Sequence, residues 1–313
     1  MPLVSVIMPA YRVAAYIREA IESVIAQSYS DWELIVIDDG SPDESGAIAS
    51  SYAGVDRRIR VARQANSGLS SARNHGIRLA RGEFIAILDS DDMWQPSFLA
   101  AQVAVLQHHP DVDIITGNAW NLGSGRDGTL WHPCPDPRPH PNLLEILRDE
   151  EAVFIMSVVR RRVFDAIGGF DETLRSNEDY HFWLRAALAG FRFMRNDRPL
   201  AHYRRRPDSL SASDIRMTRG ILCVYEKFRP GIATLPEALS ILDAQVARFR
   251  CELLAAEARE ALASWHFRIA AARLARLFWR RATGLVVSLM ARWTPRLLTR
   301  AYQLRRMRQE AAP

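Results

Sequence analysis

Short apolar runs alternate with amphipathic segments over the first 116 residues of the chain. The apolar runs, which are rich in β-branched residues, predict buried strands at residues 4–8, 33–37, 59–62, 84–88 and 112–116. The segments between them have the spacing or the end signals of helices, at residues 14–27, 43–52, 68–79 and 96–108. This alternation indicates an α/β fold with a mostly parallel sheet that helices cover on both faces.

After residue 117 the pattern is less regular. Residues 123–141 are rich in Gly, Pro, His and Asp and predict a loop. Further on, the pattern predicts a strand at residues 152–159 and helices at residues 178–189 and 236–279. No repeat of fixed period is present in the sequence, which excludes the repeat architectures.

The composition is that of a folded globular protein, with 48% hydrophobic and 25% charged residues among 313, so disorder throughout is excluded. The three cysteines, Cys134, Cys223 and Cys251, form neither a disulfide framework nor a CxxC zinc pattern, which favours a reducing compartment. The longest apolar runs, such as residues 285–290, are too short to span a bilayer. Residues 3–10 lack a preceding basic segment and a cleavage site, so they predict a strand and not a signal peptide.

Charge is distributed unevenly along the chain. Residues 261–309 contain 11 Arg and no Asp, Glu or Lys, whereas the whole chain has a net charge of +5. The rest of the chain therefore has a net charge of −6, and an acidic body carries a basic tail. A tail of this kind suits nucleic acid, acidic lipid or an acidic protein partner.

Polar residues follow the predicted strands at the edge where parallel sheets bind their ligands. The most concentrated group is Asp89, Asp91 and Asp92, directly after the fourth predicted strand. Three carboxylates in one turn repel one another unless a cation binds there. Mg²⁺ uses one or two carboxylates and completes its shell with phosphate oxygens and water, so the turn indicates a metal–diphosphate site. Capping of the next helix, or a solvated turn, remains the alternative for this motif alone.

Two other patterns are rejected as sites. Residues 123–128 (GSGRDG) match GxGxxG, but no apolar strand runs directly into them and a Pro-rich segment follows where a helix is needed. His132, Cys134 and His140 have a spacing that fits no standard metal site, and we interpret them as loop residues.

Six motifs occur in a fixed order: residues 4–11 (VSVIMPAY), 36–41 (VIDDGS), 66–76 (NSGLSSARNHG), 88–92 (LDSDD), 168–172 (GGFDE) and 177–184 (NEDYHFWL). Each motif is weak by itself, but the series resembles the family 2 inverting glycosyltransferases of the GT-A fold over about residues 3–211.

The resemblance implies a GT-A-type, Rossmann-like, mostly parallel sheet flanked by helices. It assigns residues 1–215 to the glycosyltransferase domain, with residues 1–116 as the nucleotide-sugar-binding half and residues 117–215 as the acceptor-side half. Residues 216–313 are expected to form a helical, Arg-rich C-terminal extension.

The resemblance also implies which residues bind the nucleotide sugar. Pro9, Tyr11 and Asp39 would surround the base and the ribose, and Arg73 would lie near the nucleotide or its phosphates. Asp92 would help to position the sugar.

The same family pattern assigns the metal and the base. Asp89 and Asp91 form the DxD pair for a divalent cation, Mn²⁺ or Mg²⁺, and Asp179 matches the family's general base. Glu178 and Asp179 are expected to point in different directions at a helix start, so that only one faces the site; favourable interaction of both with the helix dipole is the alternative. Many relatives place a His where this chain has Arg206, and an arginine cannot ligate a metal.

The implied reaction moves a sugar, with inversion, from a nucleoside-diphosphate sugar to a hydroxyl of a glycan or lipid-linked acceptor in cell-surface polysaccharide synthesis. The alternative enzyme function is that of a nucleotidyltransferase. Residues 9–13 (PAYRV) lack the Gly-rich loop that such an enzyme needs. A non-catalytic nucleotide- or glycan-binding module is disfavoured by the DxD pair and Asp179.

The basic tail leaves several interpretations open. Its Arg, Trp, Phe and Leu residues suit helices packed on the domain, helices on an anionic membrane surface, or a protein partner. Nucleic acid is disfavoured because the body is acidic, and we expect none to bind. The expected location is the cytoplasm, with peripheral contact at the inner face of the cell membrane if the tail binds lipid.

Overall fold

The computed structural model describes residues 3–123, 125–132 and 140–278, without the side chains of Leu210 and Phe278. Cys134 and the tail beyond residue 278 lie outside the described residues. The strands are β1 (Val4–Ala10), β2 (Trp32–Asp38), β3 (Ile59–Arg63), β4 (Phe84–Ile87), β5 (Met93–Trp94), β6 (Ile114–Leu122), β7 (Ser157–Arg160) and β8 (Phe193–Arg204).

The α-helices are α1 (Ile17–Ile25), α2 (Ser45–Ala53), α3 (Leu69–Leu79), α4 (Phe98–His108), α5 (Leu143–Arg148), α6 (Arg161–Ile167), α7 (Glu178–Leu188), α8 (Asp214–Phe228), α9 (Pro236–Ala263) and α10 (Phe267–Phe278). Short 3₁₀ helices cover Leu210–Ala212 and Arg229–Ile232.

The strands form one sheet in the order β3-β2-β1-β4-β7-β6-β8-β5. β1 is parallel to both β2 and β4, and β2 is parallel to β3. Their apolar residues are buried because helices cover this part of the sheet. The predicted α/β fold with a mostly parallel sheet is confirmed. The carboxyl ends of β1, β2 and β4 meet at one edge, where the motifs lie.

The second half of the sheet differs from the sequence prediction. β7 pairs antiparallel with β4 and β6, and it covers only the last part of the strand predicted at residues 152–159. The strand predicted at residues 112–116 continues to Leu122 as β6. β8 was not predicted, yet it pairs with β6 and β5 and delivers Arg204 to the ligand edge of the sheet.

Helices α8 and α9 pack on the sheet domain. Tyr225 of α8 and Phe249 of α9 belong to the same hydrophobic core as the strands. The Tyr180 hydroxyl of α7 donates to the Ile146 carbonyl and lies 3.1 Å from the Tyr225 hydroxyl. The core therefore continues across the boundary predicted at residues 215/216, which stays a prediction. In the part of the chain that the structure describes, no helix is long and apolar enough to cross a membrane.

Candidate active site

A cavity of about 1090 Å³ opens at the carboxyl ends of β1, β2 and β4. All eight residues that the sequence assigns to the site line this cleft: Pro9, Tyr11, Asp39, Arg73, Asp89, Asp91, Asp92 and Asp179. They come from elements spread over 170 residues of sequence, because the parallel strands end at a common edge.

The first wall of the cleft follows β1 and β2. Pro9 is buried near the end of β1, whereas Tyr11 is 41% exposed, with the Arg12 guanidinium 5.4 Å from the centre of its ring. Asp39 accepts hydrogen bonds from Gln64 Nε2 and from the Ser67 and Gly68 amides, at 2.8–2.9 Å. Asp39 therefore holds the loop before α3 against the end of β2.

A glycine allows this loop to approach so closely. Gly40 has φ +68°, and a Cβ atom there would lie 3.0 Å from the Asn66 backbone nitrogen. A larger residue would be strained by its backbone and would push the loop away.

The acidic turn after β4 contains carboxyl groups close enough to affect one another. Burial and the charge of Asp89 together raise the pKa of Asp91 to about 6, against the opposing effect of Arg206. Burial and the charges of Asp91 and Asp89 raise the pKa of Asp92 well above its usual range. Asp92 Oδ1 accepts from the Arg204 amide at 2.7 Å, while Oδ2 is buried with no hydrogen-bond partner among the described residues.

These properties fit a divalent cation that brings its other ligands with it. No three His, Cys, Asp or Glu side chains are grouped to hold a metal ion within the described ranges. Two carboxylates suffice for Mg²⁺ or Mn²⁺ where phosphate oxygens and water complete the shell. The raised pKa of Asp91 indicates that a positive charge beside it would be favourable. Asp89 and Asp91 are the residues that would hold the ion.

Two arginines at the end of β8 face the acidic turn: Arg204 is the last residue of the strand and Arg206 follows it. Arg206 Nε lies 3.3 Å from Asp91 Oδ2, and Arg204 Nε donates to the Asp91 carbonyl at 2.8 Å. Both guanidinium groups lie over the Tyr16 ring, 4.8–5.0 Å from its centre. Arg206 lines the cleft, whereas His202 is not among the described residues that line it.

Arg73 is buried between the acidic turn and α7. Its Nη2 donates to Asp89 Oδ1 at 2.6 Å and its Nη1 donates to Glu178 Oε1 at 2.5 Å. Its side chain is only 2% exposed, although the residue borders the cleft.

Asp179 is the ionisable group best suited to accept a proton. It lies in the first turn of α7 and is partly exposed to the cleft, whereas its neighbour Glu178 is 5% exposed. Burial, and after it the charge of Glu178, raise the pKa of Asp179 to about 7 against the opposing effect of Arg73. A group with this pKa can accept a proton at neutral pH. Glu178 accepts from Arg73, Asp179 accepts from the Tyr180 amide at 2.8 Å, and both residues line the cleft. That only one of the two carboxyl groups faces the bound substrates stays a prediction.

The far wall of the cleft comes from residues that the sequence did not reveal. Met217 of α8 and Phe249 and Glu252 of α9 line it, together with Glu151 and Trp131. The helical periodicity of α9 was visible in the sequence, but which face meets the cleft depends on long-range packing. Arg204 could have been suspected from charge, because a basic run at residues 204–206 complements an acidic turn.

Residues 168–172 support the cleft by packing against Asn74 of α3. Asn74 Nδ2 donates to the Phe170 carbonyl at 2.8 Å, and the Phe170 amide donates to Asn74 Oδ1 at 2.8 Å. A Cβ atom on Gly169 would lie 2.1 Å from Asn74 Oδ1, so this contact requires glycine. The two motifs at residues 66–76 and 168–172 are therefore packed on each other.

Comparison with known proteins gives a consistent result. The model of the family described as Glycosyl transferase family 2 matches residues 5–168. EpsJ of Bacillus subtilis (strain 168), named as an uncharacterized glycosyltransferase, is 38% identical over 218 residues, which are 67% of this chain and 63% of EpsJ. The chain thus spans less than two thirds of that relative's length.

Solved structures share the fold. S. aureus TarS residues 1–349 in complex with UDP-GlcNAc has a TM-score of 0.63 at 21% identity, covering 97% of this chain and 92% of that one. The mannosyltransferase PcManGT from Pyrobaculum calidifontis, in complex with GDP-Man and Mn²⁺, has a TM-score of 0.60 at 20% identity, covering 97% and 87%.

Proposed function

Because the chain belongs to glycosyl transferase family 2, we propose that it moves a sugar from a nucleoside-diphosphate sugar to an acceptor hydroxyl, with inversion at the anomeric carbon. The observation that carries this proposal is the position of Asp179. A carboxyl group with a pKa of about 7 lies in the same cleft as the acidic turn Asp89–Asp92. One base facing one leaving-group site is what a single displacement requires.

The proposed step begins at the acceptor hydroxyl. Asp179 takes the proton from that hydroxyl as its oxygen attacks the anomeric carbon, because a neutral hydroxyl is a weak nucleophile. The bond from the anomeric carbon to the diphosphate oxygen breaks on the opposite side. The guanidinium groups of Arg204 and Arg206, next to the acidic turn, lie where they can balance charge on the departing diphosphate.

Donor binding is proposed for the wall formed by β1 and β2. The exposed Tyr11 ring would stack on the base, with Pro9 and Asp39 around the base and the ribose. Asp39 is already bonded to the 64–68 loop, but a carboxylate accepts several hydrogen bonds at once. The buried Oδ2 of Asp92 would accept a hydroxyl of the donor sugar.

A divalent cation, Mn²⁺ or Mg²⁺, held by Asp89 and Asp91 would neutralise charge on the leaving diphosphate. The PcManGT structure named above holds Mn²⁺ together with its donor, which supports a cation in this fold.

The acceptor is proposed to be a glycan or a lipid-linked glycan of cell-surface polysaccharide synthesis. Glu151 and Glu252 offer carboxylates to sugar hydroxyls on the far wall, and Trp131 adds an aromatic surface. A lipid-linked acceptor would also suit the exposed apolar side chains of Trp265 and Ile269, which are 62% and 51% exposed next to Arg268. We therefore propose peripheral contact with an anionic membrane at the cytoplasmic side.

A screen of nucleotide sugars tests the proposal. UDP- and GDP-sugars are added with Mn²⁺ or Mg²⁺, and thermal stabilisation and release of the nucleoside diphosphate are measured. One nucleotide class should raise the melting temperature, since a ligand that binds only the folded state stabilises it. The anomeric configuration of the transferred sugar is then read by NMR. Retention of configuration, or no binding of any nucleotide sugar, would contradict the proposal.

A further inference from the structure

The surroundings of Arg73 differ from those expected of a residue that binds a nucleotide. Both terminal nitrogens of its guanidinium are used on protein carboxylates, at 2.6 Å from Asp89 Oδ1 and 2.5 Å from Glu178 Oε1. Its Nε atom is buried and has no hydrogen-bond partner among the described residues. With a side chain that is 2% exposed, Arg73 presents almost no donor group to a ligand in the cleft.

The two carboxylates that Arg73 joins belong to two different segments that line the cleft. Asp89 belongs to the acidic turn after β4, and Glu178 is the first residue of α7, next to Asp179. Arg73 itself comes from α3, so three elements meet at one guanidinium. A planar guanidinium binding two carboxylates fixes direction as well as distance, which a lysine cannot do.

The start of α7 has few other anchors of this kind. Asn177, which precedes it, has φ +58°, and its Oδ1 atom is buried without a hydrogen-bond partner in the described part of the chain. No side chain caps the α7 amides at this residue. The Arg73–Glu178 ion pair is therefore one restraint on the direction in which Asp179 leaves the helix, beside the bond from the Tyr180 amide to Asp179 Oδ1 and the packing of α8 on residues 176–177.

We propose that Arg73 is a positioning residue, which holds Glu178 against Asp89 and thereby presents Asp179 to the cleft, and that it does not bind the nucleotide. This inference rests on the proposed role of Asp179 as the base. It replaces the role near the phosphates that the family pattern suggested for Arg73. A small displacement of Asp179 would reduce the rate, since misplacement of a reacting group by about 1 Å can cost about 10²-fold.

Binding and turnover separate the two roles. Affinity for UDP and for GDP, each with Mn²⁺, is measured by calorimetry for the wild type, Arg73→Gln, Arg73→Lys and the control Arg78→Gln. Arg78 is exposed on the same helix. We expect Arg73→Gln to lower kcat by about 10²-fold and to leave the affinity within about threefold. Arg73→Lys should recover part of the rate because it keeps the charge. Loss of affinity by tenfold or more with an unchanged kcat would overturn the proposal.

A second measurement does not depend on activity. Hydrogen exchange is followed in peptides that cover residues 174–182, and melting temperatures are compared for Arg73→Gln, Glu178→Gln and the double variant. We expect faster hydrogen exchange in these peptides for each single variant. Exchange in Arg78→Gln should equal that of the wild type. The shifts in melting temperature should not add in the double variant, because contacting residues couple.

These results distinguish the possible failures. If the wild type binds neither UDP nor GDP and transfers no sugar, the proposed function fails, while exchange and coupling still decide whether the Arg73 bridge positions α7. If exchange at residues 174–182 is unchanged and the shifts in melting temperature are additive, the Arg73–Glu178 ion pair does not position α7 and the proposal is wrong. If Arg73→Gln does not fold, Arg73→Lys and Glu178→Gln are compared with the wild type instead. Hydrogen exchange at residues 174–182 then decides the outcome.

Discussion

Gly220 of α8 lies directly against Asn177, the residue that precedes the helix carrying Asp179. A Cβ atom on Gly220 would lie 2.3 Å from Asn177 Oδ1 and 2.1 Å from Ser176 Oγ. A residue without a side chain lets α8 approach the start of α7 in this way without moving the Ser176 and Asn177 side chains. Helix α8 is thus in direct contact with the turn that precedes the proposed base.

Gly220→Ala should therefore impair both stability and transfer. The added methyl group must displace the Ser176 and Asn177 side chains at the start of α7, and overpacking of this kind typically costs about 1–3 kcal/mol. The melting temperature and kcat of the variant are compared with those of Gly54→Ala. At Gly54 the nearest atom to a new Cβ is 3.5 Å away, so this control should behave like the wild type. A normal rate in Gly220→Ala would show that the contact does not matter for Asp179.

Asp179→Asn should abolish most of the transfer while leaving donor binding intact. The amide keeps the size of the side chain but cannot accept the acceptor's proton, and general-base catalysis contributes about 10²–10⁴-fold. Transfer rates and nucleotide affinity are measured in parallel. Asp165→Asn changes an exposed carboxyl of α6 outside the cleft and should leave both unchanged. Near-normal turnover of Asp179→Asn would move the base elsewhere.

The rate should rise with pH and level off above about 7. Asp179 acts only when deprotonated, and burial raises its pKa to about 7. Glu178→Gln removes a neighbouring negative charge that raises this pKa, so the rising limb should move to lower pH. Profiles of kcat against pH for the wild type, Glu178→Gln and Asp165→Asn check the prediction. If the rising part of the pH profile does not move in Glu178→Gln, a group other than Asp179 limits the rate.

Asp91→Asn should bind Mn²⁺ more weakly and yet melt at a higher temperature. The folded state raises the pKa of Asp91 to about 6, above its value in the unfolded chain, so ionisation of this group costs stability as pH rises through about 4 to 6. Removing the charge should raise the melting temperature at pH 7 by about 2–4 °C.

Two measurements decide this prediction. Mn²⁺ binding is followed by electron paramagnetic resonance, and stability by calorimetry. Asp56→Asn is the matched control, because a hydrogen bond from Arg58 lowers the pKa of Asp56 and its loss should not stabilise the protein. Unchanged Mn²⁺ binding in Asp91→Asn, or full transfer in excess chelator, would remove the metal from the proposed function.

Membrane contact is tested at the exposed apolar residues before and within α10. The wild type should sediment with vesicles of anionic lipid at low salt and dissociate as salt screens the charges. Trp265→Ser with Ile269→Ser should weaken binding by at least about tenfold, since burial of each such side chain contributes about 1.5–3 kcal/mol. Val55→Ser, at an 85% exposed position, is the control. If the wild type does not bind anionic vesicles, the proposed membrane contact is contradicted.

The first half of the fold was predictable because its strands are apolar on both faces. β1, β2 and β4 carry runs of Val and Ile that leave little choice of structure. β8 was missed because Arg195, Asn196, Asp197 and Arg198 interrupt its apolar pattern. Its pairing with β6 and β5 determines its conformation, and such long-range pairing leaves no local signal.

The site was predictable where it follows strand ends and not where it depends on packing. Asp89 and Asp91 were identified because a buried strand leads directly into them. The Arg73–Glu178 pair joins residues that are 105 positions apart, which no local pattern reveals. The same holds for Phe249, whose helix was predicted but whose contact with the cleft was not.

The contribution of α8 and α9 to the cleft has a consequence for how such enzymes diversify. The family match ends at residue 168, whereas Asp179 and the part of the far wall that α8 and α9 contribute come later in the chain. A single recombination event near residue 168 would exchange the proposed base together with that part of the far wall and leave residues 9–92 of the donor side untouched. New specificities could therefore be inherited as one block, and chimeras joined at this point should keep their nucleotide preference.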